Sequence, residues 1–122
     1  MTARLDDVLR RWTERCVARD VDGLVDLYRH DAALHWMPLM TRSDWGTLGL
    51  TEVFTSQLAG VTSCEARYGP SIGPDNGLCG APFHLRRDDD VYEGWAFLRL
   101  SPTGGIEIDR RYQGPFFEVP RI

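Results

Sequence analysis

The sequence predicts an α+β domain. Apolar residues recur mostly at helical spacing up to Leu58 and at strand spacing after Gly60, and turn-rich segments separate the later runs. Helices gathered ahead of an antiparallel sheet argue against a parallel doubly wound fold. Leu5, Val8, Leu9, Trp12 and Cys16 make the first helical stripe, with Thr2 as its cap and Asp6 and Asp7 in its first turn. Asp20 caps a second stripe of Val21, Leu24, Val25 and Tyr28, which runs into His30 and Asp31; His30 would end it near the negative pole of the helix. Residues 32–37 read as a strand stopped by Pro38, and residues 40–49 as a loop holding Asp44 and Trp45. Leu50, Val53, Phe54 and Leu58 mark a third helix, and Gly60 sits where a left-handed residue closes it. Strands over 61–68 and 78–87 follow, divided by a turn-rich stretch at 69–77, with Phe83 and Leu85 on one face. Asp88-Asp89-Asp90 is a turn, since it lacks the spaced ligands of a calcium loop. Residues 91–100 and 106–116 form a hairpin around Ser101-Pro102-Thr103-Gly104-Gly105, whose glycines supply positive φ.

A chain of 122 residues, 43% hydrophobic and 26% charged, is one domain, 1–122, with a real core. Its formal charge of −4 offers no field for a phosphate backbone, so no nucleic-acid partner is expected. Every basic residue is Arg, and without lysine no Schiff base or pyridoxal chemistry is available. The opening residues carry no apolar run and no stretch is long enough to span a bilayer, so a cytoplasmic protein with no membrane partner is expected. The three cysteines make no even disulfide set, no CxxC pair and, with three scattered histidines, no zinc spacing; they read as small buried hydrophobes in a reducing compartment.

The phrase from Arg19 through Tyr28 to Ala32, the segments Tyr68-Gly69-Pro70, Asn76-Gly77 and Gly80-Ala81-Pro82-Phe83, and the hairpin from Arg99-Leu100 to Arg111-Tyr112 resemble the NTF2-like superfamily. This is the α+β cone of ketosteroid isomerase, limonene-epoxide-hydrolase-like enzymes and SnoaL-like polyketide cyclases. The resemblance implies three N-terminal helices on a curved, mostly antiparallel sheet that encloses a pocket. The isomerase works with an Asp base and an oxyanion hole of Tyr and protonated Asp. None of these is present: aligned on the resemblance, donor tyrosine and base fall on Trp12 and Trp36, and the protonated aspartate on Ala96. Tryptophan cannot take a proton from carbon, so that mechanism is not expected here.

The family register points Leu34, Trp36, Phe83, Leu85, Gly94, Ala96 and Leu98 inward, with Glu65 and Arg67 on one inward row and Asp109, Arg111 and Gln113 on another. Two carboxylates in unlike settings can divide acid and base work, and SnoaL-like cyclases imply such a carboxylate in the sheet. Asp109 is the first candidate for catalysis, Glu65 the second, and His35 the third, if a bulge turns it inward in place of Trp36. Trp12, Tyr28, Trp36, Phe83 and Arg111 are the substrate-binding candidates, and no metal or cofactor is expected. Plain alternation gives the opposite answer, placing Ile106 and Ile108 inward and the acids outward as surface ion pairs, with Cys64, Ala66 and Tyr68 competing likewise against Glu65. The expectation is a cofactor-free cyclase or isomerase for an apolar, polyketide-like or steroid-like molecule. A limonene-type epoxide hydrolase and a non-catalytic ligand-binding or dimerising module are the alternatives. Trp95 and Phe97, opposite in face to Ala96, are expected on a convex patch that forms a homodimer. His84 is expected to face outward, and Asp44 and Trp45 to border the pocket mouth or stand in solvent.

Overall fold

The computed structural model describes residues 2–37, 44–73 and 77–113. Its elements are α1 (Thr2–Val17), α2 (Val21–Asp26), β1 (Tyr28–Met37), β2 (Asp44–Trp45), α3 (Gly46–Leu58), β3 (Cys64–Tyr68), β4 (Cys79–Arg87), β5 (Asp90–Leu100) and β6 (Ile106–Gln113). The strands form one six-stranded sheet in the order β2-β1-β6-β5-β4-β3. Every neighbouring pair is antiparallel except β1 and β6. The helices cover one face, α1 against β3 and α3 against β1. No helix among the described residues is long and apolar enough to cross a membrane.

The periodicities account for most of these elements. The α1 stripe of Leu5, Val8, Leu9, Trp12 and Cys16 is buried throughout. Asp20 caps α2 through its carboxylate, which accepts from the Gly23 N–H at 2.9 Å. Gly60, at φ +71°, closes α3 in the left-handed conformation that a Cβ disfavours. Asp88 does more than turn the chain, since its carboxylate accepts from the Thr62 N–H and hydroxyl and from the Ser63 N–H. That clamp holds the approach to β3, so the strand begins at Cys64, later than the alternation from residue 61 predicts.

Three boundaries differ further. Thr2 already belongs to α1, so it is not the cap, and Asp6 and Asp7 lie beyond the first turn. Tyr28 and His30 belong to β1 and not to α2: the Leu27 carbonyl accepts from Ile106 N–H at 2.9 Å, and pairing with β6 captures the chain before another helical turn can form. Hence His30 caps no helix. Gly46 to Gly49 form the first turn of α3, where a loop was expected. Residues 40–43 of the expected loop, 74–76 of the turn-rich connection and 114–116 of the last strand lie outside the described residues, as do the side chains of Asp44, Trp45 and Gln113.

The core fills the space between helices and sheet, with Leu34, Trp36, Phe83, Leu85, Ala96 and Leu98 all buried on the inner face. On β6 the alternation breaks once. Leu100 pairs with Ile106 and Arg99 with Ile108, leaving Glu107 as one extra residue, a β-bulge. Ile106 therefore faces in, Glu107 and Ile108 face out, and Asp109 and Arg111 face in again.

Candidate functional site

The bulge delivers two charged side chains into the apolar core. Asp109 and Arg111 are 0% and 1% exposed. Arg111 grips Asp109 with two donors, Nε to Oδ1 at 3.0 Å and Nη2 to Oδ2 at 3.2 Å. Such a fork matches a carboxylate and fixes both groups. The Tyr28 hydroxyl, brought in by the first residue of β1, donates to Asp109 Oδ2 at 2.5 Å. Trp12 Nε1, from the middle of α1, donates to the Tyr28 hydroxyl at 3.2 Å. The chain of donors runs from Trp12 through Tyr28 to Asp109.

Aromatic rings wall in the guanidinium. Arg111 Cζ lies 4.2 Å from the ring centre of Trp12, 5.0 Å from Trp36, and 5.4 Å from both Tyr68 and Phe83. Each ring face is electron-rich, so the enclosure offsets part of the cost of removing a cation from water. The rings brace one another, Trp12 edge-on to Tyr68 at 5.9 Å and Trp36 edge-on to Phe83 at 5.5 Å. Burial is the largest influence and disfavours the charged guanidinium, but the Asp109 charge, the Tyr68 and Tyr28 phenols and the hydrogen bond to Asp109 together outweigh it, so the net shift is upward and Arg111 stays a cation. Burial, and then the charge of Asp109, push the Tyr28 phenol well above its ordinary value, so it is a neutral donor. Burial also raises the Tyr68 phenol.

Two buried polar atoms in this enclosure, Arg111 Nη1 and the Tyr68 hydroxyl, have no protein partner of full hydrogen-bond geometry, although Arg111 stands near enough to the Tyr68 hydroxyl to oppose the rise of its pKa. A buried donor without a protein partner is costly unless water or a ligand meets it. Together they can supply a cationic and a neutral donor to an oxygen that carries or develops negative charge.

Of the sequence candidates, Asp109, Tyr28, Arg111, Trp12, Trp36 and Phe83 meet in this one place. Glu65 and His35 do not, and both expectations are corrected. Glu65 faces outward, its side chain 64% exposed and paired with Arg86 at 3.0 Å, because Cys64, Ala66 and Tyr68 take the inner row of β3. Arg67 shares that outer row. His35 lies on the outer face: the irregularity of β1 falls between Tyr28 and Ala33, ahead of His35, and leaves Trp36 inward. His35 there lines an open cleft of about 430 Å³ with Arg29, Arg99, Arg110 and Glu107. His84 points outward and meets Glu93 at 2.7 Å. Tyr68 is the site residue that sequence reasoning missed, although plain alternation along β3 carried the signal. Among the described residues no three His, Cys, Asp or Glu side chains converge to hold a metal ion.

No family model matches the sequence, and no curated protein matches it either. Solved structures do. The crystal structure of an NTF-2 like protein of unknown function from Burkholderia xenovorans LB400 superposes with a TM-score of 0.72 over 97% of this chain and 88% of that one, at 18% identity. At that identity the likeness speaks for the architecture and not for the chemistry. In architecture the chain is an α+β protein with the NTF2-like fold.

Proposed function

We propose that the chain binds an apolar, carbonyl-bearing small molecule of the polyketide or steroid kind and catalyses cofactor-free proton transfer on it, as an isomerase or cyclase. The observation that carries this reading is the pair of buried, unpartnered donors, Arg111 Nη1 and the Tyr68 hydroxyl, inside an aromatic enclosure. They would take the carbonyl oxygen. A proton leaving the adjacent carbon passes to the Tyr28 oxygen while the Tyr28 proton passes to Asp109, 2.5 Å away. Asp109 becomes neutral as the substrate oxygen becomes an enolate, so Arg111 exchanges one anion for another and the buried charge stays balanced. Returning the proton to a different carbon isomerises the substrate; attack of the enolate carbon on a second carbonyl closes a ring.

Model ketones serve as the test in place of the natural substrate. Steroid-like and polyketide-like ketones are incubated in deuterated water, and exchange of their α-hydrogens is followed by mass spectrometry. Asp109→Asn is expected to slow exchange by about 10²- to 10⁴-fold while circular dichroism shows a folded chain. Full exchange by the folded Asn variant would remove Asp109 from the mechanism. Arg111→Lys is expected to lose less activity than Arg111→Ala if charge rather than the fork holds the oxygen. Limonene-type epoxide hydrolysis is the weaker reading, because Glu65 stands outside and leaves one carboxylate where two are needed. Binding without turnover is favoured by a different observation, that both Asp109 oxygens already accept hydrogen bonds. It predicts quenching of tryptophan fluorescence by these ketones with no exchange.

The partner proposed for the outer face of the sheet is a second copy of the chain. Pro82, Trp95 and Tyr112 are cross-strand neighbours there, and Phe97 stacks on Trp95 with ring centres 6.3 Å apart. Phe97 packs against Gly80, where a Cβ would sit 2.9 Å from a ring atom. Both charge signs, Arg99 with Glu107 and Arg29 with Asp31, flank this row on the same face, as a two-fold contact between identical surfaces requires. Light scattering should report about 28 kDa, twice the chain mass of 13.9 kDa, and Trp95→Glu should halve it. A monomer in the unmodified protein would remove this interface.

A further inference from the structure

Two of the three cysteines, scattered in sequence, are neighbours in the fold. Cys16 near the end of α1 and Cys64 at the start of β3 have their sulfurs 3.2 Å apart, and none of the three cysteines forms a disulfide. Both members of the pair are buried, and Cys64, 5% exposed, is the one that borders an open groove of about 300 Å³ lined also by Val17, Glu65, Arg67 and His84. Arg87 sits directly across the β3–β4 ladder from Cys64, with its Nε buried and unpartnered. The hydrogen bond from Cys16, and then the charges of Arg87, Arg19 and Arg86, lower the Cys64 thiol below its ordinary value; the same contact, and burial, raise Cys16. Cys64, the member of the pair that borders the groove, is the candidate nucleophile, and Cys16 the candidate resolving thiol. Cys79, on β4, has the Gly77 carbonyl as its near contact and stands outside the pair.

We propose that Cys16 and Cys64 are a reversible oxidation site, closed to an intramolecular disulfide by peroxides and opened by dithiols. The Cys64 thiolate attacks a peroxide oxygen, forming an S–O bond and breaking the O–O bond; the departing hydroxide takes the proton that Cys64 released and leaves as water. The Cys16 sulfur then attacks the Cys64 sulfenic acid, the S–S bond replaces the S–O bond, and the hydroxide leaves with the Cys16 proton as a second water. Two thiols lose two electrons and the peroxide gains them. The link has a structural consequence, because Cys16 is one helical turn beyond Trp12 and Cys64 is on the same strand face as Tyr68. These two rings meet edge-on beside Arg111, so the disulfide pins two walls of the aromatic enclosure whether or not that enclosure takes a substrate.

The full chain is treated with hydrogen peroxide, denatured, and labelled with iodoacetamide. Reduced protein carries three labels; oxidised protein is expected to carry one, on Cys79, to lose about 2 Da before labelling, and to regain three labels after dithiothreitol. A digest without reductant should yield one peptide pair joined through Cys16 and Cys64, which requires no variant. Cys79→Ser should still lose the 2 Da, whereas Cys16→Ser and Cys64→Ser should not. The melting temperature should rise by about 5 to 15 °C on oxidation, as for a loop of this length closed without distortion. Retention of all three labels, a gain of oxygen mass without the 2 Da loss, or a link that includes Cys79 or a second chain would overturn the proposal.

Discussion

The two faces of the sheet each hold an arginine–carboxylate pair, and the pairs behave as different objects. Asp109 and Arg111 are buried on the inner face behind aromatic rings. Glu65 and Arg86, with side chains 64% and 35% exposed, meet at a similar 3.0 Å on the outer face. Water and salt screen the outer pair, and it also pays entropy to hold two long side chains still. The inner pair has no water to fall back on, so its partners must satisfy it in full or leave groups ready for a ligand. What separates a surface ornament from a candidate site here is strand parity, not residue type or distance.

The comparison can be broken most severely from the inside. Arg111→Ala strips the partner from a buried carboxylate and should cost about 3 to 5 kcal/mol in urea unfolding. The double variant Asp109→Leu with Arg111→Met should recover most of that loss; if it unfolds as readily as the single variant, packing around Arg111 and not charge is responsible. Alkaline pH probes the same region. Tyr28 and Tyr68 keep their protons in the fold above the ordinary phenol value, whereas in the unfolded chain they ionise near pH 10. Their contribution to stability is therefore present below about pH 10 and is lost as pH rises further, since the unfolded state then binds fewer protons. Tyr28→Phe should flatten the fall of the urea midpoint above that pH, and an unchanged slope would contradict the burial of its phenol. A smaller loss is expected from Trp12→Phe, which removes the donor to Tyr28 and the richest ring over Arg111, about 1 to 2 kcal/mol. Least of all is expected from Glu65→Gln, which should leave the urea midpoint where it was. The hydrogen bond and charge of Arg86 hold the Glu65 carboxyl below its ordinary value; Arg86→Gln should release it, as an NMR titration of the Glu65 carboxyl would read.

Local signals were legible where one residue decides one local geometry. Asp20 as a cap, Gly60 as a helix stop and the glycine-bearing turn before β6 are of this kind, the last with Gly104 at φ +96°. Parity was harder, because it accumulates along a strand and a single irregularity reverses it. For Asp109 the family resemblance gave the inward reading and plain alternation the outward one; the unpaired Glu107 explains why Ile106 and Asp109 are both inside. For Glu65 the roles were reversed: β3 has no such irregularity, so alternation alone was sufficient and the borrowed register misled. Tyr28 continued a helical spacing by sequence, but a long-range bond from Ile106 to Leu27 put it in the sheet, and no local pattern encodes that contact. The nearness of Cys16 and Cys64 is equally invisible in one dimension, since 48 positions separate them.

Glu107 works on β6 as a frame shift works on a message. Upstream of it the strand is read in one phase, downstream in the other, and its own carboxylate is tied down outside by Arg29 and Arg99. Drawing Glu107 into an unbroken ladder from Ile106 would reverse every downstream letter, turning Asp109 and Arg111 toward solvent and Arg110 and Tyr112 toward the interior, whereas deleting it would close the ladder and leave Asp109 and Arg111 inside. The charged interior thus depends on one residue standing outside the ladder, a matter of spacing that no single side chain along the strand records.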